Sequence, residues 1–558
     1  MKAIALIFFS GVLFAQKPFT VVEATISDMR TAMEQKRITS RELVTQYLIR
    51  IAIYDHTLRA AISINPNALK EAEQLDRERA QGKLRGPLHG IPIALKDNIQ
   101  TTDMPTTGGA LAFAGYVPPY EATLTKNLRA AGAIIIAKTT LIELANWVAG
   151  APTPMPAYNA VAGFGLNPYD PRTDPRDATN DGRAVLTPGG SSSGAGTAAS
   201  LWAGNVGSDT GGSIISPANQ AMLVGLRPTV GRISRYGVIP ITADHDTAGP
   251  MTRTVADAAI LLGVLEGAVD PKDPATSTCT APAGHDYTPF LKAGALKGAR
   301  IGIPRAFYYD STTLPGEPRE RRGLNPEQAK VMAEAIAVLK AQGAEVVDPA
   351  DIPSFIDKDP KNNFPLWGYC SGANQAKGKD ENCSVNFKYG MKRDFNSWLA
   401  SLGPSAPVKT LSELRQWNLN HAKAGAIKFG QSRIDISDEM DLEADRARNE
   451  ADVKKDILLS RTNGIDAVLK ANHLDAILTP GLSGADLAAR AGYPIIVVPF
   501  GMVPNAPAQQ PFPESFHAKP SPFGVGFTGT ACSEPRLFEI AYAFERATKR
   551  RVPPAATP

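Results

Sequence analysis

In Gly90-Ile91-Pro92-Ile93-Ala94-Leu95-Lys96-Asp97-Asn98 an apolar run unbroken to Leu95 stops on Lys96. Short continuous runs of this kind suit strands covered on both faces. A second run, Ala133-Ile134-Ile135-Ile136-Ala137, follows a helical pattern over Ala122 to Ala131, giving strand–helix–strand order. Further strand runs are Ala299–Ile303, Glu345–Val347, Ala476–Thr479 and Ile495–Phe500, with helical segments such as Asn325–Gln342 between them. This alternation predicts an α/β fold, a mixed, mostly parallel central sheet flanked by helices on both faces.

Upstream, residues from about Ser27 to Gly82 read as helices. Thr39-Ser40-Arg41-Glu42 has the spacing of a capping box. It opens a run with Leu43, Tyr47, Leu48, Ile51 and Ile53 near helical period, which marks core contacts. Two stretches interrupt the α/β pattern. Ala149 to Thr187 is rich in Pro, Asp, Asn and Gly and reads as a long ordered loop. Residues 350–465 are polar and mainly helical, with Tyr369–Asn382 loop-like, and are expected to form a variable cap over one end of the sheet. The first fifteen residues pair Met1-Lys2 with the apolar stretch Ala3–Ala15, the pattern of a secretory signal peptide. Its alternative is a buried N-terminal strand or helix. Leu13 is large for a position three back from the cut, so the cleavage point stays open. The expected organisation is a signal peptide at 1–15 and a single domain over 16–558, secreted or periplasmic, with no membrane contact after cleavage.

The bulk numbers exclude some functions. Against 55 acidic residues stand 59 basic ones, a net charge of +4. The densest basic run is Lys549-Arg550-Arg551, too little for a nucleic-acid stripe. The four cysteines, Cys279, Cys370, Cys383 and Cys532, lack metal-ligand spacing, so no metal and no cofactor is expected. In an oxidising compartment Cys370 and Cys383 could close a short loop, leaving Cys279 with Cys532; four free thiols remain an alternative.

The densest chemical signal lies between Pro188 and Pro217. It contains Pro188-Gly189-Gly190-Ser191-Ser192-Ser193-Gly194 and Gly207-Ser208-Asp209-Thr210-Gly211-Gly212-Ser213. So many small residues allow close backbone approach and expose N–H groups that attract negative charge. Phosphate binding would need a lysine closing the loop, and none is there. An oxyanion site has a nucleophile to go with it in Ser213, but serine needs a base. Ser213 does not sit in a Gly-x-Ser-x-Gly elbow, and neither His89 nor His245 has an Asp at a recognisable spacing. Lys96, ending a buried strand, is the other candidate. Burial lowers a lysine's pKa towards the range of a useful base. The competing reading pairs Lys96 with Asp97 or another carboxylate at the sheet edge.

Gly90–Asn98, Gly189–Gly194 and Asp209–Ser213 together resemble the amidase signature family. The similarity continues through Val224–Gly231, Asp246–Asp257, Gly492-Tyr493-Pro494 and Ala541–Glu545. It is nearest the secreted peptide-amidase-like branch and is poor over 275–470. The resemblance implies a catalytic triad in which Ser213 is the nucleophile, Ser191 bridges on a cis peptide bond, and Lys96 is the base. It implies an oxyanion hole from the backbone N–H groups of Thr210, Gly211 and Gly212, with Asp209, Ser192 and Gly190 in support, and an acyl-enzyme on Ser213. It departs from the family in a short Ser191–Ser213 interval, with an apparent deletion near Thr197–Gly204, and in Arg227, where lysine is common. The implied activity is hydrolysis of small-molecule or peptide amides by a monomer or homodimer. The alternatives are an amidotransferase-type component that works on acylated tRNA and a non-catalytic binding protein on the same scaffold.

Overall fold

Among the residues that the computed structural model describes (18–150, 157–190, 193–321, 323–372, 376–507 and 510–558), eleven strands form one sheet. In chain order they are β1 (Ala61–Ile64), β2 (Pro92–Lys96), β3 (Ile134–Thr139), β4 (Gly204–Asp209), β5 (Val224–Arg227), β6 (Thr247–Thr252), β7 (Arg300–Gly302), β8 (Glu345–Val347), β9 (Ala476–Pro480), β10 (Ile495–Val503) and β11 (Ser521–Thr528). Across the sheet they run β1-β3-β2-β4-β6-β5-β10-β11-β9-β7-β8. The expected signal peptide at 1–15, and Ser191 and Ser192, where the cis bond is expected, lie outside the described residues.

The sheet is mixed, as expected. Parallel pairing is confined to two blocks, β3-β2-β4 and β9-β7-β8. Every other pair is antiparallel, including the whole centre from β4 to β9. The expectation of mostly parallel pairing therefore holds only within those blocks. The reason is that a run buried on both faces reads alike whichever way it points. Here β6 returns between β4 and β5, and β11 returns directly beside β10.

Both faces of the sheet are covered, and alternate residues show it. On β10, Ile496 and Val498 join the largest core, while Ile495 and Val497 pack with Ile214, Ile215 and Ala485 on the other side. Strands β1, β4, β5, β6 and β11 escaped the sequence reading. Gly-Asn-Val-Gly-Ser-Asp has little strand propensity, yet all six residues of β4 are buried, so tertiary context overrides it. The helical reading of 27–82 holds for α1 (Ile26–Glu34), α2 (Ser40–Leu58) and α3 (Ala68–Ala80), but β1 interrupts it. The capping box is present: Thr39 Oγ1 accepts from the Glu42 N–H, and Glu42 accepts from the Thr39 N–H.

In the polar stretch the structure places α4 (Asn386–Ser401), α5 (Leu411–Asn420), α6 (Ser432–Asp438) and α7 (Arg446–Ile457). A second core joins the first three of these to the body. Phe395, Trp398, Leu414 and Ile434 pack with Phe113, Trp147, Ile239 and Ile241. Disulfides Cys279–Cys532 and Cys370–Cys383 follow the expected pairing. No helix among the described residues is long and apolar enough to cross a membrane.

The stretch Thr197–Asn205 is closed by local bonds. Thr197 Oγ1 donates to Asn205 Oδ1 at 2.6 Å and accepts from Trp202 Nε1 at 2.8 Å. The fully buried Trp202 ring lies so close to Gly196 that an added Cβ would stand 2.0 Å from it. Gly196→Ala is therefore expected to destabilise the protein by about 1–3 kcal/mol, the usual cost of overpacking a core. The check is a lower urea midpoint with an unchanged slope.

Candidate active site

Strand β2 delivers Lys96 to its C-terminal end, between β3 and β4, with no exposed surface. Its Nζ donates to the Ser208 carbonyl at 3.1 Å and to Ser208 Oγ at 3.0 Å. Asn98 Nδ2 donates to the same hydroxyl at 2.9 Å, which fixes where Ser208 can direct its proton. Asp97 does not pair with Lys96. Its carboxylate accepts from the Thr107 N–H and hydroxyl and faces the equally buried Lys138 at 3.3 Å. Among the described residues no carboxylate lies within 4.0 Å of Lys96, and the residues outside them include no Asp or Glu. Burial pulls the Lys96 ammonium down to about 8, against a smaller opposing pull from Asp209 and Asp246.

The turn leaving β4 is built by Asp209. Its Oδ1 accepts from the Gly212 N–H at 2.8 Å and its Oδ2 from the Ile214 N–H at 2.7 Å. Arg227, at the end of β5, donates to Oδ1 at 2.7 Å and to the Asp209 carbonyl at 2.8 Å. Both partners are fully buried. The turn needs φ of +117° at Gly212, a region that a side chain disfavours. Thr210 is tied through its hydroxyl to Asp246, whose other oxygen accepts from the Ile241 and Thr242 N–H groups. Burial raises the Asp246 carboxyl to about 7.

These contacts sort the residues picked out in the sequence. Asp209 closes the turn that carries Ser213. Gly212 does not offer a free N–H, because Asp209 Oδ1 already engages it; the carboxylate, once buried, takes the nearest donors. Thr210 and Gly211 line a cleft together with Ser213. Gly190 packs on Ser213: a Cβ there would stand 3.1 Å from Ser213 Oγ. The sequence reading did not single out Ser208 and Asn98, although both stand inside quoted motifs. No histidine is among the described residues that line the cleft with Ser213. His89 accepts the Arg85 N–H at Nδ1 and reaches the Leu75 carbonyl through Nε2, and burial lowers His245 to about 3. The Cys370, Asp380 and Cys383 cluster has both sulfurs in a disulfide, so they cannot ligate a metal.

Ser213, Thr210 and Gly211 open into a cleft of about 210 Å³ under the polar helical stretch. Its walls include Trp147, Ile241, Tyr369 and Phe387. Tyr369 and Phe387 stack with centroids 3.8 Å apart, and Trp147 meets the Phe387 edge at 5.1 Å. Asn146, Arg433 and Asp486 add polar groups. A hydroxyl, backbone donors and a nearby lysine of lowered basicity, in an aromatic-walled cleft, can carry out acyl transfer.

A family model described as Amidase matches residues 42–538. A probable amidase of Arabidopsis thaliana is 34% identical over 548 residues, spanning 96% of this chain and 92% of that protein. The structure of native peptide amidase from Stenotrophomonas maltophilia aligns with a TM-score of 0.79 at 34% identity, covering 97% of this chain and 100% of that one. A component of the glutamyl-tRNA(Gln) amidotransferase of a Synechococcus strain is 31% identical over 94% of this chain and 96% of its own length.

The Lys96 environment makes a prediction independent of activity. A buried lysine held near 8 rather than 10.5 penalises the charged folded state. The cost is about 3 kcal/mol, fully present below the folded pKa and gone above the unfolded one. Lys96→Met should therefore be more stable than the parent at pH 6, with the advantage shrinking as pH rises from 8 to 10.5. Urea unfolding across that range measures it.

Proposed function

The chain belongs to the amidase family, and from that premise we propose a secreted or periplasmic serine amidase that cleaves C-terminal peptide amides. Amide hydrolysis itself follows from the family and its peptide amidase neighbours. The proposed chemistry runs through Ser213, Ser191 and Lys96. Neutral Lys96 accepts a proton from Ser191, which accepts one from Ser213 as Ser213 Oγ attacks the amide carbonyl. The Thr210 and Gly211 N–H groups receive the negative charge on the carbonyl oxygen. The relay run backwards protonates the departing nitrogen, which leaves as ammonia, and water then releases the acid from the acyl-enzyme. The observation that carries this reading is Lys96: fully buried, without a carboxylate partner, and bonded to Ser208 beside the Ser213 turn.

Several features support the finer points. Gly190, the residue before Ser191, packs against Ser213, which suits a bridging serine. The two disulfides suit an oxidising compartment and accord with a cleaved signal peptide at 1–15. The same disulfides weigh against an amidotransferase component, whose tRNA chemistry is cytosolic. The substrate is a peptide or small-molecule amide, with neither nucleic acid nor membrane as partner, and the enzyme works as a monomer or homodimer.

Ammonia release from a panel of C-terminal peptide amides, amino-acid amides and aryl amides tests the reading. Ser213→Ala should lower kcat by at least about 10⁴-fold, the scale on which a triad fails as a unit. Persistent release from the variant would remove Ser213 as nucleophile. The base must be neutral to act, so kcat/KM should fall about tenfold per pH unit below about 8 and level off above it. A flat profile from pH 8 to pH 5 would exclude Lys96 as that base.

A further inference from the structure

The cleft beside Ser213 has two charged side chains among its described lining residues, Arg433 and Asp486, and their situations differ. Asp486 stands 3.5 Å from Arg490 Nε, with its side chain 48% exposed. Arg433 makes no ion pair among the described residues, and those outside include no Asp or Glu that could supply one. Its Nη1 donates to the Asn146 carbonyl, while its Nε is buried without an acceptor. Desolvation lowers its pKa, with no carboxylate to offset the effect.

The guanidinium is held in place. The Arg433 N–H donates to the Val148 carbonyl at 3.0 Å, and Ser432 Oγ accepts from the Gly150 N–H at 2.9 Å. Trp147 Nε1 donates to Ser437 Oγ at 3.0 Å on the same helix, α6. The guanidinium carbon lies 5.2 Å from the Trp147 ring centroid. A fixed guanidinium on the cleft wall, with no counter-charge among the described residues, is set to attract a carboxylate by a charge-assisted N–H bond.

We propose that Arg433 is a specificity-determining residue that takes a free carboxylate on the acyl part of the substrate, so that the enzyme favours amides of acidic residues. This rests on the amidase reading above. In that reading the amine part leaves as ammonia, so the carboxylate must belong to the acyl part. Aromatic walls hold the aliphatic stem, and Asp486 on the same cleft disfavours a carboxylate seated away from Arg433.

The experiment compares N-acetyl-glutamic acid α-amide with N-acetyl-norvaline amide, which has the same stem without the carboxylate. Both are assayed on the parent, Arg433→Gln, Arg433→Lys and Ser213→Ala. The parent should favour the glutamic amide at least tenfold in kcat/KM, a difference of about 1.4 kcal/mol. Arg433→Gln should erase that preference through KM and keep the norvaline rate within threefold. Arg433→Lys should restore part of it. Equal losses on both substrates in the Gln variant, with no rescue by Lys, would show a purely structural role and overturn the proposal. So would a parent that cleaves the norvaline amide equally well or better, while the amidase reading stands. Cleavage that survives in Ser213→Ala, or none of either amide by the parent, would overturn the serine amidase reading and this proposal with it.

Discussion

The ion pair between Asp209 and Arg227 organises the centre of the molecule. Two fully buried charges are costly unless each finds a partner and further hydrogen bonds. Here the carboxylate spends its remaining capacity on the N–H groups of Gly212 and Ile214, and the guanidinium on the Asp209 and His245 carbonyls. Satisfying that pair therefore shapes the turn between β4 and the helix that follows. Ser213 lies inside the shaped segment, so its position is a by-product of charge compensation under the sheet. The same constraint takes Gly212 out of the set of donors facing the cleft.

Lys96 shows the opposite economy. Asp97, its neighbour in sequence, is directed to Lys138, and Lys96 is left with neutral oxygens. An arrangement tuned for stability would pair it. Leaving a buried lysine without a carboxylate lowers its basicity at a cost to the folded state, a trade seen where a group is needed in its neutral form. Asn98 makes the arrangement specific, because it orients the Ser208 hydroxyl that Lys96 also bonds.

The polar stretch contributes shape and charge to the same place. Its helices are not a detached layer: Phe395, Trp398 and Ile434 share a core with Phe113, Trp147 and Ile241. Tyr369 and Ser371 flank Cys370, so the Cys370–Cys383 disulfide holds one wall of the cleft. The lining also carries Trp147 and Asn146, against which Arg433 is packed. Variation in this stretch can change which amides fit without disturbing the sheet that positions Lys96 and Ser213.

The α/β class was legible because runs such as Ile91–Leu95 and Ile495–Phe500 are apolar without a break, which only burial on both faces explains. Lys96 and the glycine-rich segments stood out because a buried terminal lysine and clustered glycines are poor choices for stability alone, and their grouping into one candidate set came from the resemblance to the amidase signature family. Strand direction was not legible, since burial on both faces is the same for either orientation. Strand β4 was hidden by its own glycines, which are strand residues here only because neighbours on both sides enclose them. The partner of Asp97, the engagement of the Gly212 N–H and the solitary charge of Arg433 all depend on contacts between residues distant in sequence. Only the tertiary structure decided them, because electrostatic pairing in a buried site is settled by which groups the fold brings within a few ångströms of one another.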